Sequence, residues 1–105
     1  MDFSKRADKL GLKEAELKEI IRLFIKTCLD DLSEYKAAAK LKDFQRAFTA
    51  IHSIKGAAST LGFHDISQIA MKIENQAKHR NIENLSCDAT LLKHKINRLS
   101  DVIGS

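Results

Sequence analysis

Residues 50–63 read AIHSIKGAASTLGF, which places His52, Lys55, Gly56 and Ser59 at steps of three and four. On a helix those steps bring side chains onto one side. An unperturbed imidazole has a pKa of about 6.5, so much of it is neutral and nucleophilic at cellular pH. An ammonium one turn away neutralises phosphate oxygens. A glycine in the same row lets another chain approach closely. Together these are the properties a phosphoryl carrier needs. Each residue alone also fits a plainer description, a surface histidine in a lysine-rich helix beside a packing glycine. A mid-helix glycine costs roughly 1 kcal/mol relative to alanine, so close packing or a partner must compensate at Gly56.

These residues need a helix with a defined buried face. Taking Ile51 as the centre of that face, His52 lies about 100° round from it, at the boundary with solvent. The apolar stripe of this segment is Phe44, Ala47, Phe48, Ile51, Ile54, Ala58 and Leu61. Asp43 precedes it as an N-cap, and Gly62 ends it in the left-handed conformation that closes many helices. An earlier stripe, Leu17, Ile21, Phe24, Cys28, Leu32, Tyr35 and Ala39, predicts a helix over about residues 13–40. Before it, a short helix stops at Gly11, with Phe3 and Leu10 covering the end of the bundle. A third long helix opens at Asp65 or the turn before it, with Ile66, Ile69, Ala70, Ile73 and Ala77 inward. HRNIEN breaks the pattern, and Ser86 or Asp88 caps a last helix carrying Leu92, Ile96, Leu99 and Ile103. Four such helices with short connections predict an all-α, antiparallel up-down-up-down bundle with a short N-terminal helical segment. The expected organisation is one domain over residues 1–105, with a short segment 1–11 and a bundle over about 13–103.

The run from His52 to Gly62, HSIKGAASTLG, resembles the signature of histidine-containing phosphotransfer (HPt) domains. The resemblance implies a four-helix bundle that carries a phosphoryl group on the imidazole Nε2. It implies exchange with an aspartate of response-regulator receiver domains, and a sensor histidine kinase upstream. By position, His52 would be the phospho-acceptor, Lys55 would stabilise the phosphoryl group, and Gly56, with Ser59 beyond it, would form the partner-facing row. The receiver would bring Mg²⁺ and most of the catalytic groups, leaving this chain with no cofactor or metal of its own.

The Gly62 turn makes the second and third long helices a hairpin. His52 lies ten residues before Gly62, so its counterpart falls near residues 72–74, where Glu74 is the carboxylate. Spacing leaves two readings open: a carboxylate that orients the imidazole through Nδ1–H, or an exposed charge paired with Lys78 four residues on. HSIKG, LGF and KIENQAKHRN together resemble the phosphotransfer domain of chemotaxis-type histidine kinases more narrowly, and there a glutamate at this distance bonds the imidazole. Two positions depart from that pattern: Met71 stands where the subfamily often has histidine, and Ile51 where many members have alanine.

The remaining chemistry is sparse. His64, His79 and His94 have no paired ligand spacing; His64 suits a helix start and His79 a helix end. Cys28 lies on an apolar stripe and Cys87 near a helix start, at a spacing that fits neither a zinc knuckle nor a disulfide framework, which makes a reduced, cytoplasmic setting the default. The chain has 105 residues, 44% of them hydrophobic, and a formal charge of +4. Its charges are interspersed, without a basic run or flanking stacking aromatics, so nucleic-acid binding is disfavoured. No stretch reaches the ~18 apolar residues of a membrane span. No phosphate-binding glycine loop of an ATPase or kinase occurs, so a carrier without ATP-dependent kinase activity is expected. A monomer is the simplest reading, because the four stripes can satisfy one another. The competing function is a helical adaptor that binds a receiver or another signalling partner without carrying phosphate.

Overall fold

The computed structural model describes residues 3–80 and 85–103. Five helices follow in order: α1 (Phe3–Leu10), α2 (Glu14–Lys40), α3 (Phe44–Leu61), α4 (His64–Lys78) and α5 (Leu85–Val102). The fold is all-α. Helix α3 packs on α2 and α4, and α5 packs on α4 and α2, which closes a four-helix ring. The 27 residues of α2 run the full 42 Å long axis of the molecule, as about 1.5 Å per residue requires.

The stripes read from the sequence form the core, except for Phe44, which lies half-buried outside it at the start of α3, with the Arg80 guanidinium 5.8 Å from its ring centroid. Leu17, Ile21, Leu32, Ile51, Ile54, Ile66, Ile73, Leu92 and Ile96 are all fully buried. Each such side chain contributes about 1.5–3 kcal/mol relative to exposure. On α2 the buried alanine is Ala38, with Ala39 half-buried beside it, because Ala38 follows Tyr35 by three and keeps the stripe's phase.

The helix ends follow local chemistry. Glu16 Oε1 accepts from the Lys13 N–H at 3.1 Å, which ties down the entry to α2. Asp43 caps α3 by accepting from the Arg46 N–H at 3.2 Å. Gly11 and Gly62 carry φ of +72° and +80° after α1 and α3, conformations that a side chain would strain. Beyond Gly62, the Phe63 N–H bonds Ala58 O at 2.8 Å and closes the tight turn into α4. The turn itself opens α4: its N-cap is Phe63, and Asp65 sits in the first helical turn.

Two further expectations are corrected. Leu10 is 40% exposed and does not cover the bundle end. That role falls to Ala7, which is buried, to Phe3, which packs on the core, and to Arg6. Arg6 Nη1 donates to Leu61 O at 2.7 Å, and its guanidinium lies 4.7 Å from the centroid of the Phe63 ring. A polar side chain thus pins α1 to the α3–α4 turn. The last helix begins at Leu85, ahead of both Ser86 and Asp88, so neither is its cap. The residues that precede Leu85 lie outside the described residues, as does the side chain of Cys87. Asp88 instead accepts from Gln76 Nε2 at 3.2 Å and joins α5 to α4. No helix among the described residues is long and apolar enough to cross a membrane.

Candidate functional site

Helix α3 presents its buried face through Ala47, Ala50, Ile51, Ile54 and Ala58, and His52 follows Ile51 onto the rim. The imidazole is 59% exposed. Helix α4 returns antiparallel alongside it, with Ala70, Ile73 and Ala77 inward. Small residues on both helices keep the two backbones close. Glu74 lies next to Ile73 at the edge of the same interface, and it is the buried charged residue of the described structure.

Three sequence-predicted residues meet there. Glu74 Oε2 lies 2.7 Å from His52 Nδ1, and Glu74 Oε1 accepts from Lys55 Nζ at 2.9 Å. Each carboxylate oxygen therefore has its own cationic or N–H partner. The alternative pairing of Glu74 with Lys78 on an exposed face is excluded by this burial and these contacts. Burial works to raise the Glu74 carboxyl, but the hydrogen bonds from Lys55 and His52 and the charges beside it outweigh burial and hold it below its ordinary value. Glu74 is accordingly ionised at neutral pH. An ionised carboxylate only accepts hydrogen bonds, so the proton of a neutral His52 sits on Nδ1. The Nε2 lone pair is left facing away from Glu74, on a side chain that is largely exposed.

Gly56 is exposed on the same side of α3. A Cβ built there would meet nothing within 4 Å outside its own local helix. Packing within this chain therefore gives no reason for the glycine. Thr60 Oγ1 donates to Gly56 O, one turn back, at 3.0 Å. Ser59 is exposed, and its hydroxyl lies 2.9 Å from that of Ser67 across the hairpin. Its position continues the row from His52, but its hydroxyl is engaged with α4.

One neighbour was not singled out from sequence. The Phe48 ring stacks beside His52, with centroids 5.6 Å apart and planes at 13°. Its signal was present: an aromatic four residues before a histidine on the same helix is a side-chain neighbour. The apolar stripe alone assigns it to the core, and it is in fact only partly buried there. The other histidines stand apart from the site. His79 caps the end of α4, with Nδ1 2.8 Å from Asn75 O, and His64 is the exposed first residue of α4. Among the described residues no group of three or more His, Cys, Asp or Glu side chains is arranged to hold a metal ion.

A family model described as Hpt domain matches residues 19–102, which includes all of α3, α4 and the three-residue constellation. No curated protein matches the chain. No solved structure matches it either.

Proposed function

The chain belongs to the Hpt domain family, whose members serve histidine phosphotransfer in phosphorelays, and we propose that His52 is the residue that carries the phosphoryl group. The observation that supports this most directly is the pairing of an exposed imidazole with a buried, ionised carboxylate at Nδ1. That pairing leaves Nε2 as an accessible nucleophile.

In the proposed exchange the Nε2 lone pair attacks the phosphorus of an aspartyl phosphate on a receiver domain. The Nε2–P bond forms while the P–O bond to the aspartate breaks, and the aspartate leaves as a carboxylate. Nδ1 keeps its proton throughout, so the phosphorylated ring is cationic. Glu74, 2.7 Å from Nδ1, stabilises that charge. Lys55 has three N–H donors, one of which engages Glu74. The others are available to phosphoryl oxygens. The Mg²⁺ of the exchange is assigned to the receiver. A sensor histidine kinase is the proposed source of phosphate, and a domain acting as a monomer suffices for each step. The contact of Glu74 with the imidazole supports a chemotaxis-type reading of the domain.

The experiment is phosphotransfer from a labelled phospho-receiver to wild type and to His52→Gln. Label on wild type alone, lost in acid and stable in base, is the expected result. Acid-labile label retained by a folded His52→Gln protein would refute the assignment.

A further inference from the structure

We infer that Phe48 is a positioning residue for the phosphoryl-accepting imidazole: its stack on His52 fixes the plane of the ring while Glu74 fixes its edge. The inference rests on the reading of His52 as acceptor and adds a requirement to it.

A hydrogen bond at Nδ1 constrains one atom of the ring. It leaves the imidazole able to rock about the axis through that bond. The solvent side supplies no wall, since the side chain is 59% exposed. The lone pair of Nε2 lies in the ring plane, so any rocking misdirects it from the phosphorus. Attack requires the reacting atoms to be close and aligned, and loss of alignment lowers the rate.

Phe48 supplies the missing constraint. Helical side chains lean toward the N-terminus, which carries the His52 ring back over the turn that bears Phe48. The centroids are 5.6 Å apart and the planes 13° from parallel, the geometry of an offset stack. Phe48 is itself packed partly into the hydrophobic core, so it is the held partner and His52 the guided one. Two contacts from two helices thus restrain different motions of one ring. A leucine would fill much of the core volume but offer no flat face.

Phosphoramidate tests this without any receiver. Its nitrogen is already protonated, so ammonia departs as the P–N bond breaks and the Nε2–P bond forms. Phosphorylation rates are measured for wild type, Phe48→Leu and Phe48→Tyr, together with NMR of the His52 ring protons. Phe48→Tyr keeps the stack and should match wild type in both. Phe48→Leu should slow phosphorylation about two- to tenfold, the range expected from loss of one aromatic contact. Its His52 ring protons should also lose the ring-current shift. Wild-type rate or unmoved ring protons in Phe48→Leu would overturn the inference while leaving His52 as acceptor. No label on wild type would refute His52 as acceptor, and the ring protons would still decide whether Phe48 orders the imidazole.

Discussion

Glu74 Oε2 lies 2.7 Å from His52 Nδ1 across the α3–α4 hairpin, with Lys55 Nζ 2.9 Å from the other carboxylate oxygen. A glutamine at position 74 could not reproduce both contacts. Its one carbonyl oxygen can accept from Lys55, but its amide then turns N–H donors toward Nδ1. The imidazole responds by moving its proton to Nε2, which removes the nucleophilic lone pair. Glu74→Gln should therefore change the tautomer of His52, visible in the imidazole ¹⁵N shifts. Phosphotransfer should fall by about tenfold or more, the scale set by losing a carboxylate that orients a histidine. Unchanged ¹⁵N shifts together with a normal rate would leave Glu74 without its orienting role.

The same contacts make the protein's stability depend on pH in a definite direction. The Glu74 carboxyl is held below its ordinary value of 4.5, so the folded state favours the ionised form. That stabilisation is complete above pH 4.5 and is lost as pH falls from there through the lowered value. Protonation leaves Lys55 without its anionic partner in a half-buried position. Urea melts of wild type and Glu74→Gln should differ most near neutral pH and converge in acid. A difference that grew on acidification would have the wrong sign for this site.

The hairpin explains how much of the site was legible in the sequence. The His52–Glu74 and Ser59–Ser67 pairs are both symmetric about Phe63, the residue after Gly62. Once Gly62 is recognised as a helix stop, two antiparallel helices of fixed rise place Glu74 opposite His52. Helical phase likewise put Ile51 and Ile54 inside and His52 on the rim. What phase leaves unresolved is the rotamer. Phe48 belongs both to the apolar stripe and to the row beside His52, and only its side-chain direction shows that it serves both. Lys55 is similar: spacing places it near His52, but its bond to Glu74 depends on an inter-helix distance. At the bundle end, Leu10 follows the composition expected of a cover, yet Arg6 reaches the Leu61 carbonyl and does that work with a polar group.

Cys28 is a sequence-legible core residue with a chemical consequence. Burial pushes its thiol up to about 12, and the charge of Asp31 adds to the shift. The thiolate is the reactive form, so the native side chain should resist alkylation at pH 8. Peptide mapping after iodoacetamide should find Cys28 modified rapidly in urea and slowly in native protein. Because the unfolded thiol ionises first, near 9, native stability should decline from this group as pH rises between 9 and 12. Rapid native labelling at pH 8 would contradict the burial of Cys28.

Gly56 separates what the fold needs from what a partner needs. The open space around its hypothetical Cβ means that Gly56→Ala introduces no clash. Its φ does not fall in the left-handed range, so alanine is not strained there. Gly56→Ala should raise the stability of the bundle by roughly 0.5–1 kcal/mol, because glycine loses more backbone freedom on folding. For a domain of this size that is a rise in Tm of about 4–8 °C per kcal/mol. Gly56→Leu should fold as well, since leucine is a good helix former and its side chain projects into solvent. Its cost should appear when a receiver approaches His52. Transfer from a phospho-receiver should fall by at least about tenfold if docking loses 1.4 kcal/mol or more. Phosphorylation by phosphoramidate, which needs no docked protein, should be nearly unchanged. A Gly56→Leu protein that exchanged phosphate normally with its receiver would show that the partner does not approach over Gly56. One that lost both reactions would place the glycine's role in the chemistry of His52 itself.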